Sequence, residues 1–171
     1  FLGHRNVAVL EGGMEKWKFQ NRSLSKFEKS KITRRDFSSQ INFGAYASKL
    51  LIKKATKTPN IIILDSRPKE HFNGLISWTK RKGHIPTAIN TPVYRYFKHT
   101  NGHRVLHSKA NLRKMFNSIK KGATAITYCN GGKESALTYL ILRRLGLKAS
   151  HYDGSWVEWS QDMSLPIKSF K

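Results

Sequence analysis

The chain has 171 residues, 39% hydrophobic and 25% charged, with 32 Lys plus Arg against 10 Asp plus Glu for a formal net charge of +22. That length and apolar share suffice for one ordinary domain with its own core and some extra chain, and no apolar run approaches the roughly eighteen residues a membrane span needs, so no membrane partner is expected. A single cysteine, Cys129, excludes an internal disulfide and an all-cysteine metal site, and favours a cytoplasmic, reducing setting or a thiol kept free for chemistry.

Taken in chain order, residues 7–10 read as a brief apolar strand followed by a glycine turn and an aromatic-bearing helical turn at Trp17. This opening repeats near the other end of the chain. Leu2-Gly3 and Leu145-Gly146 each precede a strand-like run, an acidic residue and a glycine (Gly12, Gly154), and a tryptophan (Trp17, Trp159) at the same offset from that glycine. Two copies about a domain length apart imply a tandem of like domains. Residues 1–24 are then expected to be the tail of a preceding domain, 25–37 a polar, basic linker, and 38–171 the main domain; a targeting segment ahead of Phe1 is left open.

Ser38 or Ser39 can cap a helix over 42–55 with Phe43, Ala47, Leu50 and Leu51 on its apolar face, and Pro59 closes it. The β-branched run 61–64 reads as a strand buried on both faces of a parallel sheet, ending in Asp65-Ser66-Arg67. A long polar passage over 69–82, a turn at 83–86 and a short strand at 88–90 follow; 94–105 reads as irregular and 108–119 as a helix stopped by Lys120-Lys121-Gly122. Residues 125–128 form the next buried strand, 134–145 a helix ended by Gly146, and 149–152 a last strand before an aromatic turn. The alternation predicts an α/β fold, an open and mostly parallel sheet with helices on both faces.

Between strand 125–128 and helix 134–145 stand Cys129 and the glycine loop Asn130-Gly131-Gly132-Lys133-Glu134-Ser135. A thiol at a helix N-terminus meets unpaired backbone N–H groups and the positive end of the helix dipole, which stabilise negative charge on the sulfur and on an approaching anion. The competing reading is a small, inert, packed cysteine, but such a residue has no need of two adjacent glycines. Ligands of open parallel sheets bind at the carboxyl ends of strands, where both Asp65-Ser66-Arg67 and Cys129 fall, so both are expected to face one crevice.

The charge has a plainer reading. Arg34-Arg35, Lys53-Lys54, Lys80-Arg81-Lys82, Lys120-Lys121 and Arg143-Arg144 are scattered and lack interleaved aromatics, so solvated surface that steers a small anion is favoured over a nucleic-acid partner. His99, His103 and His107 recur every four residues, but Asn101-Gly102 breaks a helix there; a loop is preferred to a metal site, and no cofactor is expected. A cysteine phosphatase would need an arginine where Ser135 stands.

The motifs Leu64-Asp65-Ser66-Arg67-Pro68 with Phe72 and Gly74, Gly83-His84-Ile85-Pro86 with Ala88 and Asn90, the Cys129 loop, and Asp153-Gly154-Ser155-Trp156 with Glu158-Trp159 together resemble the rhodanese (sulfurtransferase) family, specifically the active C-terminal domain of a tandem two-domain member. The resemblance implies that Cys129 takes a sulfane sulfur from a small anionic donor such as thiosulfate, becomes a persulfide, and passes the sulfur to cyanide or a thiol. It implies donor binding by Asn130, Gly131, Gly132, Lys133, Glu134 and Ser135, with His71 and Arg81 as further candidates, and structural support from Asp65, Arg67 and Trp156. Asn130-Gly131-Gly132-Lys133-Glu134 matches neither the basic loop of thiosulfate-preferring members nor the Gly-Ser-Gly-Val-Thr of 3-mercaptopyruvate-preferring ones. His71 stands where an arginine often binds the donor, and Thr87 where the family usually has glycine. Alternatives are therefore a 3-mercaptopyruvate sulfurtransferase and a non-catalytic rhodanese-like module binding acidic partners.

Overall fold

A computed structural model describes residues 1–4, 6–26, 33–34 and 36–170. The middle of the expected linker, 27–32, and Arg35 of the Arg34-Arg35 pair lie outside the described residues. In chain order the elements are α1 (Gly13–Phe19), α2 (Lys49–Ala55), β1 (Ile61–Asp65), α3 (Lys69–Asn73), β2 (Ile89–Asn90), β3 (Phe97–Thr100), β4 (His103–Leu106), α4 (Lys109–Met115), β5 (Thr124–Tyr128), α5 (Lys133–Arg144), β6 (Lys148–His151) and α6 (Ser155–Gln161).

Four strands form one parallel sheet in the order β2-β1-β5-β6. In β1, Ile63 and Leu64 point to opposite faces, as do Ala125 and Ile126 in β5, and each face is covered. Ile63 and Ile126 pack with Ile52 and Ala55 of α2 and Trp156 and Trp159 of α6. Leu64 and Ala125 pack with Leu112 of α4 and Ile141 and Leu142 of α5. This is why the two central strands read as continuous apolar runs rather than alternating ones. Trp156 and Trp159 are fully buried, and each removes roughly 200 Å² from water, worth about 5 kcal/mol before entropy is counted.

Four local expectations differ from the structure. Residues 7–10 form no strand, and Val7, Val9 and Leu10 are exposed, since no neighbouring chain among the described residues offers them a ladder. The helix expected over 42–55 is split: residues Phe43–Ala45 make one 3₁₀ turn, Tyr46 bridges His151, and Ala47 donates its N–H to His151 O at 2.9 Å. That ties the chain to β6, and the helix starts afresh at Ser48, whose hydroxyl accepts from Leu51 N–H. Phe43 and Leu50 consequently stay exposed while Ile52 and Ala55 enter the core.

The stretch expected to be irregular holds the hairpin β3-β4, turned at Asn101-Gly102 with both φ values positive (48° and 77°), the geometry for which Asn-Gly is the usual pair. Within the polar passage, 69–73 forms α3, stopped by Gly74 at φ 82°.

The repeat seen in the sequence has a geometric counterpart. Gly12 and Gly154 each precede a seven-residue helix, α1 and α6. The indole N–H of Trp17 donates to Ser23 O at 3.0 Å, and that of Trp159 to Pro166 O at 2.9 Å. α1 rests on the hairpin through Glu15 and Arg104 (3.3 Å) and through Phe19 against His103 (ring centroids 4.7 Å).

Candidate active site

β5 ends at Tyr128 and delivers Cys129 into the loop ahead of α5. Two amides of α6 hold that loop from below: Trp156 N–H donates to Cys129 O and Val157 N–H to Asn130 O, both at 3.0 Å. In a trans peptide the N–H points opposite to its C=O, so fixing these carbonyls turns the N–H groups of Asn130 and Gly131 away from α6. Gly132 closes the turn at φ 86°, where a Cβ would stand 2.5 Å from Asp153 Oδ1, a combination that requires glycine. Among the described residues, the N–H groups of Asn130 to Ser135 have no protein acceptor. Cys129 N–H is the exception in this region, donating to Ser155 Oγ at 3.1 Å.

The sulfur is nearly buried. Ser135 Oγ lies 3.4 Å from it and also meets Gly132 O at 3.0 Å and His151 Nε2 at 2.9 Å. Beneath the loop, Arg67 and Asp65 are fully buried and paired: Nε and Nη2 of the guanidinium reach the carboxylate at 2.9 and 2.6 Å, and Nη2 also meets Gly83 O at 2.8 Å. The Tyr128 hydroxyl donates to the same carboxylate, and burial together with that charge keeps its phenol well above the ordinary range. The guanidinium lies over the Trp156 ring, 4.5 Å from its centroid. Arg67, Asp65 and Trp156 are thus packed together, with Arg67 Nη1 buried and without a protein partner.

Above the loop opens a crevice of about 830 Å³. Cys129, Asn130, Gly131, Lys133 and Glu134 line one wall. Residues 9–15 of the N-terminal tail also line it, with Trp78, Val93, Phe97, Leu106, Leu137 and Leu140 and the two arginines Arg104 and Arg144. Asn130 Oδ1 is buried with no protein partner, so it is left for a ligand or water.

Two expected donor-binding residues stand elsewhere. Arg81 directs both Nη atoms at 2.8 Å to Asp162 O and Leu165 O, which closes the end of α6 and leaves the crevice without its charge. His71 is buried, does not line the crevice, and meets edge-on the ring of Trp78, which does. Burial, reinforced by the Arg67 charge, lowers its pKa, so at neutral pH it offers an anion no positive charge. Of the spaced histidines, His99 sits opposite Arg104 and His103 opposite Thr100 in the hairpin, and no group of three potential ligands among the described residues is placed to hold a metal.

Three features of the site have little or no local signal: the tail residues 9–15 lining the crevice with Cys129, His151, and Ser155, whose one sequence cue is its place in Asp153-Gly154-Ser155-Trp156.

A model of the rhodanese-like domain matches residues 48–162. The chain belongs to the rhodanese-like family. Among curated relatives, one from Mycolicibacterium smegmatis named "Putative thiosulfate sulfurtransferase" is 29% identical over 180 residues, covering 97% of this chain and 62% of its own length. A thiosulfate sulfurtransferase of Corynebacterium glutamicum is 27% identical, covering 98% of this chain and 59% of its own length. This rhodanese-like chain therefore spans about three fifths of the relatives it matches. Its fold is also that of an EanB variant in complex with ergothioneine (TM-score 0.89, 22% identity, 99% of this chain and 43% of that one). The anaerobic ergothioneine biosynthesis enzyme of Chlorobium limicola, in complex with trimethyl histidine, is similar at TM-score 0.87 and 20% identity, covering 98% of this chain and 42% of that one. No helix among the described residues is long and apolar enough to cross a membrane.

Proposed function

We propose that this chain is the catalytic part of a cytoplasmic tandem rhodanese, with 1–24 the closing segment of a preceding rhodanese-like domain, 25–37 the linker and 38–171 the catalytic domain. A seven-residue helix directly after Gly12 and another directly after Gly154, each with a tryptophan whose indole N–H meets a later carbonyl, support that division. The reaction is sulfur transfer, and the observation that carries it is the buried Cys129 sulfur at the end of β5, beside backbone N–H groups that no protein acceptor satisfies.

The Cys129 thiolate attacks the sulfane sulfur of a donor such as thiosulfate; the S–S bond of the donor breaks and sulfite departs with its electron pair. The resulting persulfide carries its negative charge among the loop N–H groups, which act on an anionic sulfur as oxyanion-hole donors act on oxygen. An acceptor nucleophile then takes the outer sulfur, forming thiocyanate from cyanide or a persulfide from a thiol, and the Cys129 thiolate returns. No general acid or base is required. Glu134 stands beside Lys133 on the crevice wall and offsets the one loop cation offered to the donor. The crevice far exceeds the space an anion of thiosulfate's size fills, and its mostly apolar lining supports an organic thiol as acceptor in preference to cyanide.

Intact mass spectrometry after incubation with thiosulfate, and separately with 3-mercaptopyruvate, tests this. One sulfur atom is gained, then lost on adding cyanide, and nothing is gained by Cys129→Ser. Gain from mercaptopyruvate alone would transfer the donor assignment. No gain from either donor, with the thiol still open to alkylation, would leave the non-catalytic module.

A further inference from the structure

We propose that His151 is a positioning residue that aims the Ser135 hydroxyl proton at the Cys129 sulfur. The inference rests on the reading of Cys129 as the nucleophile and goes beyond it, because His151 comes from the end of β6 and is not part of the cysteine loop.

Ser135 has one hydroxyl proton and three neighbours within reach: Cys129 Sγ at 3.4 Å, Gly132 O at 3.0 Å and His151 Nε2 at 2.9 Å. His151 Nε2 in turn lies 3.1 Å from Gly132 O, which can only accept. Were Nε2 bare, two lone pairs would face each other across that distance. The network therefore assigns the proton to Nε2, which donates to Gly132 O and to Ser135 Oγ together. With the two lone pairs of Gly132 O taken by Ala136 N–H (3.0 Å) and Nε2–H, and its own oxygen accepting, Ser135 is left to direct its proton to the sulfur, and an anionic sulfur strengthens that choice.

Removing the imidazole donor reverses this. Ser135 would then turn to Gly132 O, the nearer acceptor, and the sulfur would lose its side-chain donor while every loop atom stayed in place. Burial holds His151 toward its neutral form, against the opposing pull of Asp153, so its contribution at neutral pH is direction rather than charge. The ring is seated against Tyr139, with centroids 6.4 Å apart.

With one cysteine in the chain, the pH profile of iodoacetamide alkylation reads this site alone. Ser135→Ala is expected to move the midpoint up by about one pH unit, the scale of a hydrogen bond to a charged group. His151→Phe is expected to move it in the same direction by a similar amount, His151→Gln to restore most of the shift through its amide N–H, and the double variant to move it no further than the larger single change. His151→Met supplies the same loss of donor if exchanging the ring disturbs the packing on Tyr139. A midpoint unchanged in both His151→Phe and His151→Met, or single shifts that add in the double variant, would overturn the proposal. Alkylation needs no sulfur donor, so a failure of sulfur transfer and a failure of this inference give separate results.

Discussion

Replacing Arg67 by methionine removes the cation from beneath the cysteine loop while keeping a long, unbranched side chain against Trp156. Asp65 would retain the Tyr128 hydroxyl and the backbone N–H of position 67, but no positive charge, in a place with no exposure to water. Breaking one side of a buried pair of this kind costs about 3–5 kcal/mol. Against the roughly 5–15 kcal/mol of a whole domain that is a large share, and at about 2–4 °C per kcal/mol for a chain of this size it corresponds to a fall in Tm of roughly 6–20 °C. Thermal melts followed by circular dichroism would measure it. Adding Asp65→Asn to Arg67→Met should recover part of the loss, since the unpaired charge is then gone. A fall of less than about 2 °C combined with a raised KM for thiosulfate would place Arg67 in donor binding and not beneath the loop as the partner of Asp65.

Thr87 adopts φ 68° on the surface, a left-handed conformation that a β-branched residue strongly disfavours. Thr87→Gly is expected to raise stability by roughly 0.5–1 kcal/mol after the added freedom of the unfolded chain is counted, read as a higher midpoint in urea; an unchanged or lower midpoint would contradict it. For pH, burial lowers the pKa of His71, His84 and His151. The unfolded chain therefore binds protons at higher pH than the folded one. The stability from neutral, buried imidazoles is complete above the ordinary value of 6.5 and is lost as pH falls from there through the lower folded values. Tm at pH 5.5 is expected to lie below that at pH 7.5, and an equal or higher value would show that these groups do not control it.

Much of the sheet was legible because it is written in local pattern. The runs at 61–64 and 125–128 are apolar on both faces since α2 and α6 cover one side and α4 and α5 the other. The cysteine loop was legible for a similar reason, since a strand, two glycines and a helix start are contiguous. The hairpin at 97–106 was hidden by its composition: alternation among histidine, lysine and arginine gives little hydrophobic contrast, and Asn101-Gly102 reads as an interruption until the strands beside it pair. The break in the helix expected over 42–55 was hidden because its cause, the bond from Ala47 to His151, comes from a strand about a hundred residues away.

Residue type and local order account for the chemistry in reach: one thiol, glycines where the chain must turn, an acidic residue and an arginine at the end of β1, and a repeated glycine and tryptophan spacing. These depend on residue type and on neighbours within a few positions. How those groups are used follows from packing. It set Arg81 on the carbonyls of Asp162 and Leu165 just past α6 and His71 outside the crevice lining, brought residues 9–15 to the same crevice as Cys129, and lodged His151 against Ser135. Side-chain direction and the meeting of distant segments follow from how the layers pack, and no local pattern encodes that.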